Sequence, residues 1–463
     1  YNVALGYNAG YSVTTGTLNT LIGGLAGDAI TDGDSNVAVG HTALGQETRG
    51  DRSVAVGAYA LQAANTTTDT DVYNTGVGYN AGGTLSTGVH NTLIGGLAGD
   101  GLTTASNNVA VGFQAHSTDD LGSRNVSVGT EALSDMNFAT ATDSYNTAVG
   151  DQAGKRITTG VQNTLVGALA GDALTDADFN IAVGMQALTA DTLGSRSTAM
   201  GFFALGSQNF TTATNSNNTA IGYSAGSTVT TGTSNTLIGA LSGDALTDGN
   251  NNVAVGEGAL GAETRGDRNV AIGNATLSAQ NNTTDVDAYN TAVGHAAGAA
   301  VTTGTKNTLI GGLAGDAITT GNENVALGYT ALSGDDVGHR SVAIGTATLT
   351  NQNYATSTNS YNVAMGYNTG HNVTTGIQNT LIGGLAGDAL TDADFNVAVG
   401  ISTLSSDTKG NRSVAIGYAA LETQNFTTST DSYNTAVGAL AGLSVTTGIQ
   451  NTFVGGTTGF STT

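Results

Sequence analysis

Residues 36–40 read Asn-Val-Ala-Val-Gly, and residues 53–57, seventeen positions later, read Ser-Val-Ala-Val-Gly. This pattern, which is Asn or Ser, two residues, an aliphatic residue and Gly, recurs 26 times between Gly6 and Gly455. The steps between its glycines are 17, 17, 17 and 21 residues, so a unit of 72 residues repeats six times from Gly23. A period this short cannot hold a helix pair or a strand–helix unit, and it is typical of one turn of a solenoid.

Each copy of the pattern has the composition of a strand. Its core is rich in Val and Ile, and it is bounded by Gly, Asn, Thr and Asp, which are turn residues. We therefore predict an all-β fold, a parallel β-solenoid with 26 rungs of 17 or 21 residues and a 72-residue super-repeat. Residues 1–463 are predicted to form one continuous repeat domain.

The Gly that ends each copy is called the rung glycine below. The residue before it is always Val, Ile, Leu or Met, as at Val39 and Val56, and we predict that this column is the solenoid interior. The residue four before it is Asn in 22 rungs and Ser in four, and stacked amides of this kind can form a hydrogen-bonded ladder. The rung glycine itself predicts a positive φ or a close approach of two backbones.

The residue two before the rung glycine lies on the opposite strand face. It is small in most rungs and Leu once every 72 residues, and it is never charged. An apolar stripe on a protein surface implies a partner, and the simplest partner is another copy wound about a common axis. The trimer interface predicted on this basis comprises Ala38, Ala55, Leu21, Leu93, Leu165, Leu237, Leu309, Leu381 and Phe453.

Composition excludes several functions. The net charge of −23 argues against binding nucleic acid or an anionic membrane through bulk electrostatics, and the lack of Cys excludes thiol catalysis and Cys-based zinc sites. No apolar run approaches the ~20 residues of a transmembrane helix. The six His residues do not recur by column, and no Ser/His/Asp arrangement recurs. We therefore expect no catalytic site, no cofactor, no metal site and no membrane contact in this chain.

One rung carries a resemblance to a known family. Residues 52–57, Arg-Ser-Val-Ala-Val-Gly, followed by Ala60 and Leu61, resemble the head repeat of trimeric autotransporter adhesins of the collagen-binding Yersinia type. Residues 341–345 and 413–417 repeat the motif, and variants of it cover the whole chain. The resemblance implies a left-handed β-roll, three chains per head and display outside the cell. The turns of that family are shorter than those of this chain, and similar repeats occur in phage tail fibres.

These features predict a structural and adhesive fibre segment, a homotrimeric rod that is part of a longer fibre. It would attach its owner to a surface or host by binding an unknown protein or glycan receptor. The owner would be a bacterium that displays the fibre on its surface, or a virus that uses it as a tail or host-attachment fibre. A minor alternative is an ice-binding solenoid, because Thr-rich turns such as residues 13–16 recur. The Thr pairs in these turns recur mainly in every fourth rung, which is sparse for an ice-binding array.

The 21-residue rungs carry aromatic residues at fixed places, which are candidates for ligand contact. Exposed rings can stack on glycans or proteins, whereas buried rings would pack each long loop onto the solenoid, and we favour the second interpretation. The candidates are Tyr145, Tyr361 and Tyr433, which precede the Asn, and Phe138, Phe210, Tyr354 and Phe426, which lie earlier in the same loops.

Two further patterns have competing interpretations. Residues 49–51 and 265–267 read Arg-Gly-Asp, which is either an integrin-type tripeptide or drift in a tolerant loop, and we favour drift. Spaced carboxylates can hold Ca²⁺, but they are also common in solvated turns, which we favour. The clusters concerned are Asp28, Asp32 and Asp34; Asp172, Asp176 and Asp178; and Asp388, Asp392 and Asp394.

Overall fold

The computed structural model describes residues 1–460. These residues form a parallel β-solenoid with no helix, which confirms the predicted fold class and the position of each rung. They divide into two compact units, residues 1–233 and residues 234–460. Each unit contains two kinds of strand, a three-residue strand in every rung and a pair of two-residue strands around every 21-residue rung.

The first unit contains thirteen of the three-residue strands within the described residues. They are Val3–Leu5, Thr20–Ile22, Val37–Val39, Val54–Val56, Thr75–Val77, Thr92–Ile94, Val109–Val111, Val126–Val128, Thr147–Val149, Thr164–Val166, Ile181–Val183, Thr198–Met200 and Thr219–Ile221. The two-residue strands pair as Gly50–Asp51 with Thr70–Asp71, Gly122–Ser123 with Thr142–Asp143, and Gly194–Ser195 with Thr214–Asn215.

The second unit has the same plan over its described residues. Its three-residue strands are Thr236–Ile238, Val253–Val255, Val270–Ile272, Thr291–Val293, Thr308–Ile310, Val325–Leu327, Val342–Ile344, Val363–Met365, Thr380–Ile382, Val397–Val399, Val414–Ile416, Thr435–Val437 and Thr452–Val454. The two-residue strands pair as Gly266–Asp267 with Val286–Asp287, Gly338–His339 with Thr358–Asn359, and Gly410–Asn411 with Thr430–Asp431.

Successive three-residue strands within a unit pair in parallel and in the register of the sequence repeat. Ala38, for example, lies opposite Ala55, and Ala254 lies opposite Ala271. Equivalent residues of neighbouring rungs therefore stack into columns, so that a property shared by a column is a property of a whole face.

The glycine and asparagine columns fix the distance between rungs. Gly40 has a φ of 139°, and a Cβ added to it would lie 2.4 Å from the carbonyl oxygen of Gly57. Asn36 accepts a hydrogen bond from the backbone N–H of Ser53 at 2.9 Å, and its amide donates to the carbonyl of Gly50 at 2.8 Å. Both predictions for these columns are confirmed, although most of the ladder bonds join an amide to the backbone and not to the next amide.

The prediction for the two strand faces is wrong, because the structure reverses them. The residue two before the rung glycine points into the solenoid, whereas the residues one and three before it lie on the outer face. Val39 is partly exposed and Val56 is 36 % exposed, so neither belongs to the interior. The predicted trimer contacts Ala38, Ala55, Leu21, Leu93, Leu165, Leu237, Leu309 and Leu381 are all fully buried inside their own chain, and Phe453 is half-buried.

The reason lies in the width of the interior. The strand forms one wall of the interior. The residue four positions after the rung glycine lies opposite it and belongs to the other wall. Where the strand carries Ala38, this residue is Leu44, and both are fully buried. Where the strand carries Leu165, it is Gly171, and a Cβ added to Gly171 would lie 2.8 Å from Leu165 Cδ2. The space holds at most one large side chain for each such pair, so a large residue on one wall requires a small residue on the other.

This complementarity predicts coupling between Leu165 and Gly171. We expect Leu165→Ala alone to lower the free energy of opening of its rung by about 2–5 kcal/mol, because it leaves a cavity. Gly171→Ala alone should also destabilise the rung, because the added methyl overlaps Leu165 Cδ2. The double variant should lose less than the sum of both losses, as measured by native-state hydrogen exchange of residues 164–166. Strictly additive losses would contradict the packing described here.

Candidate interaction surfaces

The outer strand face is an apolar surface that runs through every rung of each unit. The residue before the rung glycine is aliphatic or Met throughout, and Val56, Ile272 and Met365 are 36 %, 38 % and 43 % exposed. The residue three before it is Val, Ile or Thr. These two columns, called the outer strand face below, contain no charged residue although the chain carries a net charge of −23.

A row of Arg and Tyr residues borders this face, one position before the Asn column. Arg124 lies over the ring of Tyr145 at 5.6 Å, and Arg412 lies over Tyr433 at 5.8 Å. Tyr145 and Tyr433 are each 50 % exposed, and Tyr361 in the same column is 48 % exposed. These three tyrosines are accessible to a ligand, so their proposed role in ligand contact stays a prediction.

The other four candidate aromatics cannot contact a ligand in this structure. Each lies in a long turn. A long turn is the segment of a 21-residue rung that directly precedes the second strand of a two-residue pair, such as Thr142–Asp143. The long turns are numbered one to six along the chain. The burial of the four aromatics contradicts ligand contact and agrees with the interpretation favoured above, in which these four rings pack the long turns onto the solenoid. They are Phe138, Phe210, Tyr354 and Phe426, and they are 5 %, 5 %, 4 % and 6 % exposed.

Beneath each long turn lies a fully buried carboxylate that the sequence analysis missed. Glu263 shows the arrangement, because its Oε1 accepts hydrogen bonds from the backbone N–H groups of Gly266 at 2.7 Å and Asn282 at 2.9 Å. It thereby joins the first two-residue strand to the long turn of the next rung. A Glu or Asp three residues before Gly, recurring every 72 residues, was the available indication. The six residues are Glu47, Asp119, Asp191, Glu263, Asp335 and Asp407.

An amide connects four of these carboxylates to the asparagine ladder. Gln208 donates from Nε2 to Asp191 Oδ2 at 2.5 Å, and its Oε1 accepts from Asn218 at 2.9 Å. The equivalent residues Gln280, Gln352 and Gln424 make the same two contacts. Buried carboxylates are costly unless they are hydrogen-bonded, so this network holds the long turns in place.

In the second long turn, different residues form hydrogen bonds to the buried carboxylate. Met136 occupies the position of the glutamine, and His116 stands where other repeats have a leucine. His116 Nε2 lies 3.0 Å from Asp119 Oδ2, and both residues are fully buried. Burial alone would raise the pKa of Asp119, but the hydrogen bond and charge of His116, together with the backbone N–H groups of Phe138 and Gly122, hold this pKa below its ordinary value.

Asp335 beneath the fifth long turn shows the opposite shift. Burial is the largest cause, and together with the neighbouring charge of Asp336 it raises the pKa of Asp335 to about 6. The hydrogen bonds from Gln352 and from the N–H of Gly338 only partly offset this effect. A pKa raised on folding contributes stability that is fully present below pH 3.8 and is lost as the pH rises through 6.

The Arg-Gly-Asp tripeptides are part of the framework. Gly50 is buried and donates its N–H to Glu47 Oε1 at 2.8 Å, while Asp51 Oδ1 accepts the backbone N–H of Asp34 at 2.6 Å. The position of Asp51 holds Ser123, Ser195, Asp267, His339 and Asn411 in the other repeats, and each accepts the equivalent backbone N–H. The aspartate of the tripeptide is therefore one of several residues that serve as a hydrogen-bond acceptor.

The acidic clusters serve similar purposes. Asp178 and Asp394 accept backbone N–H groups of the preceding rung at 2.8 Å, and Asp32 pairs with Arg49 at 3.4 Å. Within residues 1–460, no three acidic or imidazole groups are placed to hold a metal ion. The same residues include no helix that is long and apolar enough to span a membrane.

Comparison with known proteins adds no assignment. No protein-family model matches this chain, and no curated protein matches it.

The two shifted carboxylates give a test of the buried network. In a carbon NMR titration of the Asp side chains, we expect Asp335 to titrate near pH 6 and Asp119 to titrate below 3.8, the ordinary value. Hydrogen exchange of the fifth long turn, corrected for its intrinsic pH dependence, should show easier opening as the pH rises through 6. An ordinary titration of Asp335 would mean that its carboxylate is hydrated and that this turn opens freely.

Proposed function

We propose that this chain is a structural segment of an extracellular or virion fibre and that copies associate through the outer strand face. The observation that carries this proposal is the continuous, uncharged, partly exposed apolar surface on every rung. Soluble monomers rarely leave a contiguous apolar surface of this extent in water. The assembly interface proposed here replaces the one predicted from the sequence, since Leu165 and its equivalents are internal.

A further copy of the same chain is the occupant that fits this face best. The net charge of −23 makes copies repel one another, and the outer strand face is free of charge, so copies approach there at the lowest electrostatic cost. The constant rung register also lets identical rungs meet along the face. The number of three chains follows from the resemblance to the adhesin heads, as does the role in attachment to a cell or host surface.

The outer strand face also favours one competing function. Thr occupies the position three before the rung glycine in half of the rungs, as at Thr92 and Thr308, beside an aliphatic residue. A regular array of Thr and Val on a strand face suits an ice-binding solenoid, which would act as a monomer. These Thr residues lie in the strands and not in the turns, and the structure shows that they point outward.

A charge placed on the face distinguishes these functions. We expect the native protein to have the mass of three chains. The triple variant Val255→Asp, Ile272→Asp and Val293→Asp should be monomeric with an unchanged circular dichroism spectrum, because these side chains lie outside the solenoid. Analytical ultracentrifugation measures the mass.

The matched control places the same charges on exposed long-turn positions. The triple variant Thr283→Asp, Ala355→Asp and Thr427→Asp adds equal negative charge away from the outer strand face and should stay trimeric. A monomeric native protein would overturn self-association, and thermal hysteresis of that monomer would establish ice binding. Dissociation of the control would show that net charge, and not the face, determines assembly.

A further inference from the structure

A polar pocket of about 310 Å³ lies beside the fifth long turn, in the second unit. Its volume is at the lower end of the range of about 300–1,000 Å³ that is usual for small-molecule sites. Such sites are mostly apolar, whereas this one is lined almost entirely by groups that form hydrogen bonds. The residues used in the argument below are Asn322, Glu323, His339, Arg340, Ser357 and Asn359.

At this pocket the sequence of the fifth repeat differs from that of four other repeats. The position of Asn359 is Asp in four of the other repeats, and in each of them it pairs with the arginine of the preceding rung, as Asp143 does with Arg124 at 3.0 Å. Asn359 offers no charge to Arg340, which turns instead to Glu323 at 2.8 Å and to the hydroxyl of Tyr361 at 3.0 Å. The space that the ion pair occupies elsewhere is left free.

The wall of the pocket is held by His339. The backbone N–H of Asn322 donates to His339 Nδ1 at 2.8 Å, so the ring proton is on Nε2, which donates to Ser357 Oγ at 2.6 Å. Burial and the nearby Arg340 lower the pKa of His339, so the ring is neutral at neutral pH. The imidazole is thus a fixed part of the wall, and the hydroxyl of Ser357 is oriented by it.

We propose that this pocket binds a neutral sugar residue of a glycan. The amides and Arg340 donate hydrogen bonds, while Glu323 and Ser357 accept them, and each sugar hydroxyl both donates and accepts. An acidic sugar fits less well, because Arg340 is already neutralised by Glu323 and the chain carries a net charge of −23. The half-exposed ring of Tyr361 adjoins the pocket through Arg340 and offers a flat surface for a sugar ring.

One chain forms the whole pocket, so the inference does not rest on the proposed self-association. It would give the fibre a receptor of the glycan class, and the mass measurement and the sugar-binding measurement can fail separately.

Ligand-observed NMR of the whole chain tests the proposal with free glucose, galactose, mannose and N-acetylglucosamine, and with N-acetylneuraminic acid as the acidic probe. We expect saturation transfer to at least one neutral sugar. Asn359→Asp should abolish it, since the new carboxylate would pair with Arg340 and fill the pocket. This variant should fold, because Asp is the natural residue at this position in four repeats. Ser357→Ala should weaken binding about tenfold through the loss of one hydrogen bond.

The matched control is Asn215→Asp, at the same strand position of the third long turn, and it should leave sugar binding unchanged. The proposal is overturned if no neutral sugar binds the native chain, if binding survives Asn359→Asp, or if only N-acetylneuraminic acid binds.

Discussion

The narrowness of the solenoid interior is the constraint on which the rest of the structure depends. Two walls lie so close that a leucine on one requires a small residue on the other, as Leu165 does opposite Gly171 and Leu44 does opposite Ala38. The strand side of the interior is therefore mainly Ala, and a facing pair holds at most one Leu. The aliphatic residues on either side of this Ala or Leu in each strand point outward, which leaves each unit with a second apolar surface besides its core. The proposal of self-association rests on that second surface.

A polar framework holds the rungs in register around this small core. A ladder residue such as Asn36 satisfies two backbone groups of the following rung, and in the 21-residue rungs a buried carboxylate satisfies backbone groups of the long turn. Because a narrow core buries little apolar surface per residue, satisfied buried polar groups carry much of the specificity of the fold. The same framework fixes the loops, so the surface residues of the long turns, including Tyr361 and Asn359, are held in defined positions.

The sequence predicts the fold class and the glycine and asparagine columns because the repeat occurs 26 times. A turn glycine or a ladder asparagine has the same physical explanation in every copy. The sequence did not predict the direction of the faces, since Ala-Leu and Val-Ile columns are both apolar and alternation alone does not say which is inside. The pairing of Leu21 with Gly27 was the missing evidence. The burial of Glu263 and its equivalents was not predicted, because acidic residues in turns are usually solvated. The pocket beside Asn359 depends on an absent ion pair, which only the geometry of the other repeats reveals.

The stacking of rungs also determines how the solenoid would carry a mechanical load. Ladder bonds and strand pairing run along the stacking direction, so a pull in that direction loads the contacts between rungs in series, and the weakest contact sets the strength. Ser53, Ser197, Ser341 and Ser413 interrupt the ladder. At Ser197, Gln208 bridges the interruption to the buried Asp191, whereas Ser53 Oγ has no hydrogen-bond partner among the described residues. Extension under tension would therefore begin at the rung of Ser53, and the glutamine-bridged rungs would yield later.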